Sequence, residues 1–192
     1  MRAKSVVPWC AVALACACAP TRGRQLCEAI ARRDVAAAQA VLAGPEISAT
    51  RDHGPCVPAD VFITAKGDQA LTAIAIELVK AGFPADGSWI PRGQSQPVSA
   101  IEVAARNGNV ELVRALIAVG LDLTSLESAR ALVEAAGAGH LAVVTALVEA
   151  GIDIEVTSGG ETALDRARAG DRGHVVAFLE PLVAARAAAA KE

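Results

Sequence analysis

The sequence predicts an all-α solenoid, a stack of helical hairpins, and two observations carry this prediction. One pattern of apolar residues, alanines and glycines occurs three times, starting at Ser99, Arg130 and Thr162. Self-similarity with a period of roughly 30 residues is typical of repeat proteins, which mostly serve as binding surfaces. The composition agrees, because 53% of the residues are apolar while only 3% are aromatic. Much of the apolar fraction is alanine, the best helix former.

The first residues are typical of an export signal rather than of a folded domain. Arg2 and Lys4 form a positive head, and an uncharged, mostly apolar run follows over residues 6–19. That run is too short to cross a bilayer of about 30 Å at about 1.5 Å per helical residue. A positive head followed by a short apolar run predicts a secretory signal peptide.

The segment 14–18, L-A-C-A-C, indicates where this signal ends. Its small-x-small pattern predicts cleavage before Cys18, which gives a signal peptide over residues 1–17 and a short linker over 18–23. The segment also resembles a bacterial lipoprotein signal, in which a cysteine after small residues becomes the lipidated N-terminus. This resemblance implies Cys18 or Cys16 as the lipid acceptor, with simple cleavage as the alternative. Both alternatives predict export, either to the bacterial periplasm or to a membrane-anchored position facing it.

The charge balance argues against a nucleic-acid partner. The formal net charge is −3 at pH 7, and loss of the signal peptide removes two further positive charges, Arg2 and Lys4. A surface that binds phosphates needs an excess of basic side chains. We therefore expect no nucleic-acid partner. Independently of the charge balance, we expect a membrane contact only through the N-terminal lipid and a monomeric chain.

Two cysteines, Cys27 and Cys56, remain in the body of the chain after the signal. In an exported protein such a pair predicts one disulfide. It would close a loop of roughly 30 residues and stabilise the fold by about 3 kcal/mol. Two unrelated buried thiols are the alternative.

Residues 94–124 contain the clearest repeat. Ser99 is placed to start a first helix, and Gly108 permits the positive φ of a tight turn. A second helix is predicted from Val110, with apolar residues at i, i+3 and i+4 spacing. Gly120 then ends it in the left-handed conformation. One such hairpin cannot cover its own apolar face, so it must stack on neighbours.

This unit resembles the ankyrin repeat, whose motif is T-P-L-H-x-A-A-x-x-G-H-x-x-x-V-x-x-L-L-x-x-G-A-D. Residues 99–122 match it as S-A-I-E-V-A-A-R-N-G-N-V-E-L-V-R-A-L-I-A-V-G-L-D. Residues 130–153 match the same slots, and Thr162 opens a third copy with about two extra residues near 170–173 before His174. The resemblance implies an ankyrin-type helical-hairpin solenoid that binds proteins.

Two weaker copies lie upstream of these three. Residues 26–35 resemble a first helix and turn that lacks the glycine, with a second helix over 36–43. The next copy is predicted to hold helices over 57–65 and 69–81, the second of them longer than usual by nearly a turn. The domain is therefore predicted over 24–188 in about five repeats, followed by a tail. The predicted spans are 24–56, 57–93, 94–124, 125–156, 157–188 and, for the tail, 189–192.

The residues between repeats predict projecting loops. Residues 45–58 and 86–97 hold Pro and Gly at a density that excludes helix. Both segments lie where ankyrin proteins place their β-turn fingers. In such proteins partners meet the finger tips and the concave face of the first helices. The resemblance therefore implies as partner-binding candidates Trp89, Gln96, Val98, Arg106, Asn107, Glu127 and Glu161.

No sequence pattern indicates a catalytic site, a metal site or a cofactor. Of the three histidines, His140 and His174 follow the turn of a repeat, where ankyrin units carry a structural histidine. His53 stands in a predicted loop without metal-ligand spacing around it. The sequence therefore predicts a non-enzymatic protein-binding module of the bacterial cell envelope, a scaffold or docking protein. The alternatives are a periplasmic inhibitor or immunity-type protein and a self-associating structural component.

Overall fold

The computed structural model describes residues 21–44, 61–62, 65–83, 88–89 and 98–189. The signal peptide and both lipidation candidates, Cys16 and Cys18, lie outside these residues. Contacts group the chain into two compact units, Met1–Pro84 and Ala85–Glu192. The first unit contains the two weaker copies of the repeat, and the second contains the three clear ones.

In the first unit, α1 (Thr21–Arg32) packs against α2 (Val35–Leu42), and α2 packs against α3 (Gln69–Lys80). The helix α1 begins inside the segment 18–23 that we predicted as a linker. Residues 21–25 contain no proline and only one glycine, so nothing delays the start of the helix until residue 24. The predicted second helices at 36–43 and 69–81 are confirmed to within one residue at each end.

The second unit consists of three helical hairpins, as predicted. Its helices are α4 (Ala100–Asn107), α5 (Val110–Ala118), α6 (Leu126–Ala138), α7 (Leu141–Glu149), α8 (Ala163–Ala169) and α9 (Gly173–Ala189). The first helices α4, α6 and α8 pack side by side, while α5 packs on α7 and α7 on α9. The result is two layers, with an apolar core between them.

The N-termini of α4 and α8 are closed by capping boxes. Ser99 accepts a hydrogen bond from the backbone N–H of Glu102, and the Glu102 carboxylate accepts one from the N–H of Ser99 at 2.8 Å. Thr162 and Asp165 repeat the arrangement at α8. Each box satisfies two backbone donors that a helix start leaves unpaired. The prediction that Ser99 begins the first helix is confirmed.

Two short antiparallel strand pairs lead into these boxes, and the first of them forms the base of the predicted finger at 86–97. The strand β1 (Ser88–Trp89) pairs with β2 (Val98–Ser99), and β3 (Thr157–Ser158) pairs with β4 (Glu161–Thr162). Gly159 and Gly160 make the second turn, both with positive φ. The structure therefore places a strand pair before α4 and before α8.

The connection between α5 and α6, which the structure describes throughout, contains no strand pair. The helix α6 begins at Leu126, with Ser125 as its N-cap, so Glu127 lies inside the helix. The turn before it is closed by Asp122, whose carboxylate accepts hydrogen bonds from the side chain and backbone of Thr124. These bonds hold the pKa of Asp122 below its usual value. An extra helical turn therefore takes the place of a finger in this repeat.

The last repeat carries no insertion, contrary to the prediction of extra residues near 170–173. Equivalent apolar side chains are buried at the same distance from the start of each copy. They are Leu112 and Leu116 in α5, Val143 and Leu147 in α7, and Val175 and Leu179 in α9. The prediction was wrong because it aligned the third copy on a glycine. The turn position is instead occupied by Asp171, in the left-handed conformation with φ 54.

The same register corrects the assignment of the repeat histidine. His140 Nε2 lies 3.1 Å from the Arg106 carbonyl of the preceding repeat. In the next copy Arg172 holds that position, and its Nε donates to the Gly137 carbonyl at 3.0 Å. His174 lies two residues later in α9, with Nε2 at 2.8 Å from the Gly139 carbonyl. Both histidines therefore contact the backbone of the preceding repeat, but they are not equivalent.

This assignment predicts different outcomes for two substitutions at Arg172. Arg172→Ala should lower the free energy of unfolding by about 1–2 kcal/mol, because a charged donor to a carbonyl is lost. Arg172→His should change it by less than about 0.5 kcal/mol, since histidine makes the equivalent contact from position 140. Urea unfolding followed by circular dichroism measures both. If histidine destabilised as much as alanine, the proposed equivalence of Arg172 and His140 would be wrong.

The last helix, α9, is 17 residues long and continues through Pro181. Its final turns are exposed. Arg186 links these turns to the preceding loop through ion pairs of 2.9 Å to Asp153 and 3.4 Å to Glu155. Among the helices that the structure describes, none combines the length and apolar character needed to cross a membrane.

Candidate protein-binding groove

The C-terminal turns of α4, α6 and α8 lie next to one another and form one continuous surface, which we call the inner groove. It comprises residues 103–107, 134–138 and 166–170. Two successive positions at the end of each helix differ between the repeats: Arg106 and Asn107, then Gly137 and Ala138, then Ala169 and Gly170. At these two positions the groove therefore has polar side chains at α4 and no side chain beyond Cβ at α6 and α8.

These small residues leave a hollow between α6 and α8. Its volume is about 350 Å³, and it is lined by Glu134, Gly137, Ala138, Arg166, Ala169 and Gly170. The floor consists of backbone and methyl groups, and Glu134 and Arg166 are the charged side chains of its lining. A volume of this size is at the lower end of the range for ligand pockets.

Close packing of the two helices requires the glycines. A Cβ atom on Gly170 would lie 2.9 Å from the Gly137 carbonyl oxygen, and one on Gly137 would lie 2.7 Å from Arg166 Cγ. The side chain of Arg166 therefore runs directly over Gly137. Glycine at these two positions serves helix packing, and the hollow follows from that packing.

The groove carries charges of both signs, arranged in pairs. Arg106 Nε lies 3.6 Å from Glu134 Oε2, and Arg166 Nη1 donates to Glu161 Oε2 at 2.9 Å. These side chains are between about a third and a half exposed, so each pair contributes little to stability. Their charges remain available to a partner, which makes their orientation more important for recognition than for folding.

One carboxylate near the groove is held ionised by local bonds. The Thr162 hydroxyl and backbone N–H both donate to Asp165, and they lower the pKa of that carboxyl below its usual value. Asp165 therefore keeps its negative charge at neutral pH and continues to close the capping box of α8. Because the box fixes the start of α8, it also fixes the direction of Arg166, the next residue along.

The structure brings together some of the predicted partner-binding residues. Arg106 and Asn107 lie in the inner groove, and Glu161 reaches it through Arg166. Glu127 lies in the first turn of α6 rather than in a loop before it. The position of each of these residues within its repeat determines the face of the helix on which it lies.

The remaining predicted residues belong to the first finger. Val98 is only 8% exposed, so it offers little surface to a partner. Trp89 pairs with it in the strand register, while Gln96 lies outside the described residues. The contribution of the finger to binding therefore stays a prediction.

Sequence reasoning missed Glu134, Arg166, Ala169 and Gly170 as groove residues. The signal was present in the repeat register: counting from Thr162 without an insertion puts Ala169 and Gly170 in the positions of Arg106 and Asn107. Glu134 and Arg166 likewise share one position in successive copies.

The predicted disulfide stays a prediction, because Cys56 lies outside the described residues. Cys27 lies in α1 and is buried at 6% exposure. In its thiol form, burial raises the pKa of Cys27 to about 11, which keeps a reduced side chain protonated at neutral pH. Within the described ranges, no group of three or more His, Cys, Asp or Glu side chains is placed to hold a metal ion.

Comparison with known families agrees with the repeat register. Residues 100–183 match a family model described as ankyrin repeats, in three copies. The matched span covers α4 to α8 and most of α9. A search of the curated proteins finds no significant match. Residues 100–183 are therefore similar to ankyrin repeats, and ankyrin repeats indicate a protein–protein interaction module.

Proposed function

We propose that this protein is an exported docking protein of the bacterial cell envelope, which holds one protein partner in the inner groove. The observation that carries the proposal is the hollow between α6 and α8, with its lining of small residues and paired charges. A concave surface with few projecting side chains admits a projecting segment of another protein. The exposed side chains of this surface do not contribute to the apolar core between the helix layers.

The location is supported by the sequence of residues 1–17 and by the cysteine that follows. From Cys18 to Thr21, where α1 begins, the chain extends at most about 10 Å at about 3.5 Å per residue. A lipid on Cys18 would therefore hold the first repeat close to the membrane. A protein anchored in this way is suited to act as a scaffold that holds a partner at the membrane surface.

Co-purification tests the proposal. The full chain, expressed in its native host with its own signal and a C-terminal tag, should capture one stoichiometric partner from an envelope extract. Ala138→Arg should reduce the captured amount at least tenfold, because a long charged side chain then fills the groove. Ala142→Arg is the matched control, since Ala142 is also exposed but lies on α7 outside the hollow.

Three outcomes contradict the proposal. A partner that is retained equally by both variants binds elsewhere, and the groove is then not the docking site. A protein recovered in the cytoplasmic fraction is not an envelope component. Recovery of a second copy of the chain in place of another protein would favour a self-associating structural role.

A further inference from the structure

The inner groove contains no aromatic side chain of its own. The whole chain has two Trp, three Phe and no Tyr. Phe62 and Phe83 are buried in the first unit, and Phe178 lies on α9, away from the lining of the hollow. Aromatic residues are the usual anchors of protein interfaces, and an anchor on one protein fills a pocket on the other. This chain therefore contributes the pocket, and the anchor must come from the partner.

The floor of the hollow fits a flat group. Ala138, Ala169 and Gly170 place no side chain beyond Cβ in its path, while the side chain of Arg166 lies over Gly137. A planar ring can therefore approach Ala138, Ala169 and Gly170 closely, whereas a branched aliphatic side chain would leave part of that flat surface uncovered. The volume of about 350 Å³ accommodates one large side chain rather than a helix.

Arg166 supplies a wall that favours a ring over an aliphatic side chain. Its guanidinium donates through Nη1 to Glu161 at 2.9 Å, so the pair fixes the group through its edge. Guanidinium faces stack on aromatic rings. The Arg166 side chain is 45% exposed, so it offers a stacking surface to a partner.

Glu134 extends the preference to rings that carry a hydrogen-bond donor. Its carboxylate lines the hollow and is 37% exposed, with Arg106 Nε at 3.6 Å, beyond the length of a good hydrogen bond. A buried indole N–H or phenol O–H needs an acceptor, and an ionised carboxylate is a strong one. Phenylalanine has no such donor, so tryptophan and tyrosine suit the site better.

We propose that the hollow between α6 and α8 takes one tryptophan or tyrosine side chain of the protein partner, stacked on Arg166 and hydrogen-bonded to Glu134. This inference rests on the proposed function, because it names the group that docks in the inner groove.

Amide NMR spectra of the ¹⁵N-labelled full chain test this inference without knowledge of the partner. The probe is N-acetyl-tryptophanamide, with N-acetyl-leucinamide as the aliphatic comparison. The tryptophan probe should shift the resonances of Gly137 and Gly170 saturably, and the leucine probe should bind at least about threefold more weakly. Arg166→Gln should weaken tryptophan binding by about two- to fivefold, as expected for loss of an exposed cation–π contact.

Filling the hollow provides the matched pair of variants. Ala169→Leu should abolish the saturable shifts, while Ala142→Leu, an equal change on α7, should leave them unchanged. The absence of saturable shifts at Gly137 and Gly170 overturns the inference. Equal affinity for both probes, or binding that survives Ala169→Leu, overturns it as well.

These outcomes are separate from those that test the proposed function. If Ala138→Arg abolishes partner capture but the tryptophan probe does not bind, the docking function stands and the aromatic anchor is wrong. If the probe binds but Ala138→Arg leaves partner capture intact, the hollow accepts aromatic groups and the docking function fails.

Discussion

Replacing Leu147 with alanine is expected to lower the free energy of unfolding by about 2–5 kcal/mol, the usual cost of a buried leucine truncation. Leu147 is fully buried in α7, at the position that Leu116 and Leu179 occupy in the neighbouring repeats. It lies between the two helix layers, where removal of the three carbons beyond Cβ leaves a cavity. Each repeat depends on its neighbours for burial, so the loss affects the whole stack.

The matched control is Leu126→Ala in the same unit. Leu126 is 54% exposed at the start of α6, and its truncation should change stability by less than about 0.5 kcal/mol. Chemical unfolding of both variants, followed by far-UV circular dichroism, gives the comparison. Equal effects at the two leucines would show that the Leu147 side chain does not lie between the two layers as described.

The second large effect is expected at Gly108, where alanine should cost about 2–4 kcal/mol from two separate causes. The residue has φ 73, in the left-handed region that disfavours a Cβ atom. A Cβ there would also lie 2.7 Å from His140 Nδ1 and 2.8 Å from Cε1. The ring cannot move away freely, because its Nε2 contacts the Arg106 carbonyl.

Gly120→Ala separates the two causes. Gly120 has φ 91, but nothing lies within 4 Å of a Cβ built on it, so only the backbone strain of about 1–2 kcal/mol is expected. In a His140→Ala background, Gly108→Ala should fall to this smaller cost, which a double-mutant cycle measures. If Gly108→Ala costs no more than Gly120→Ala in the native background, the contact between the turn and His140 is absent.

The hairpin of residues 99–120 was predictable because its signals are local. Ser99 is a strong N-cap, Gly108 and Gly120 mark both ends of the second helix, and apolar spacing fixes the buried face. Each of these features acts within a few residues, so the sequence alone determines it. The helix starts at Ala100 and Val110 follow directly.

Two features of the fold could not be read locally. The start of α6 at Leu126 depends on Ser125 and Asp122 closing a turn, whereas the repeat pattern placed a finger there. In the last copy Asp171 takes a conformation that usually belongs to glycine, so a search for glycine misaligned the turn. In both cases the buried apolar residues keep the spacing of the other repeats. The residue that usually marks the turn or the helix start is a different one.

The site was predictable only in part for a related reason. Arg106 and Asn107 could be identified because they project from the repeat as polar side chains. The hollow arises from missing side chains on two helices that are separated by a whole repeat. Such an absence becomes visible only when α6 and α8 are placed side by side.

Photo-crosslinking from the inner groove in the native host tests the central claim most directly. A benzophenone amino acid would replace Ala138 in the groove or, as the control, Ala142 on α7, both of them exposed in the structure. Docking in the inner groove predicts one dominant crosslinked protein from position 138 and no crosslinked product of the same mass from position 142. Crosslinks to the same protein from both positions, or only from position 142, would contradict docking in the inner groove.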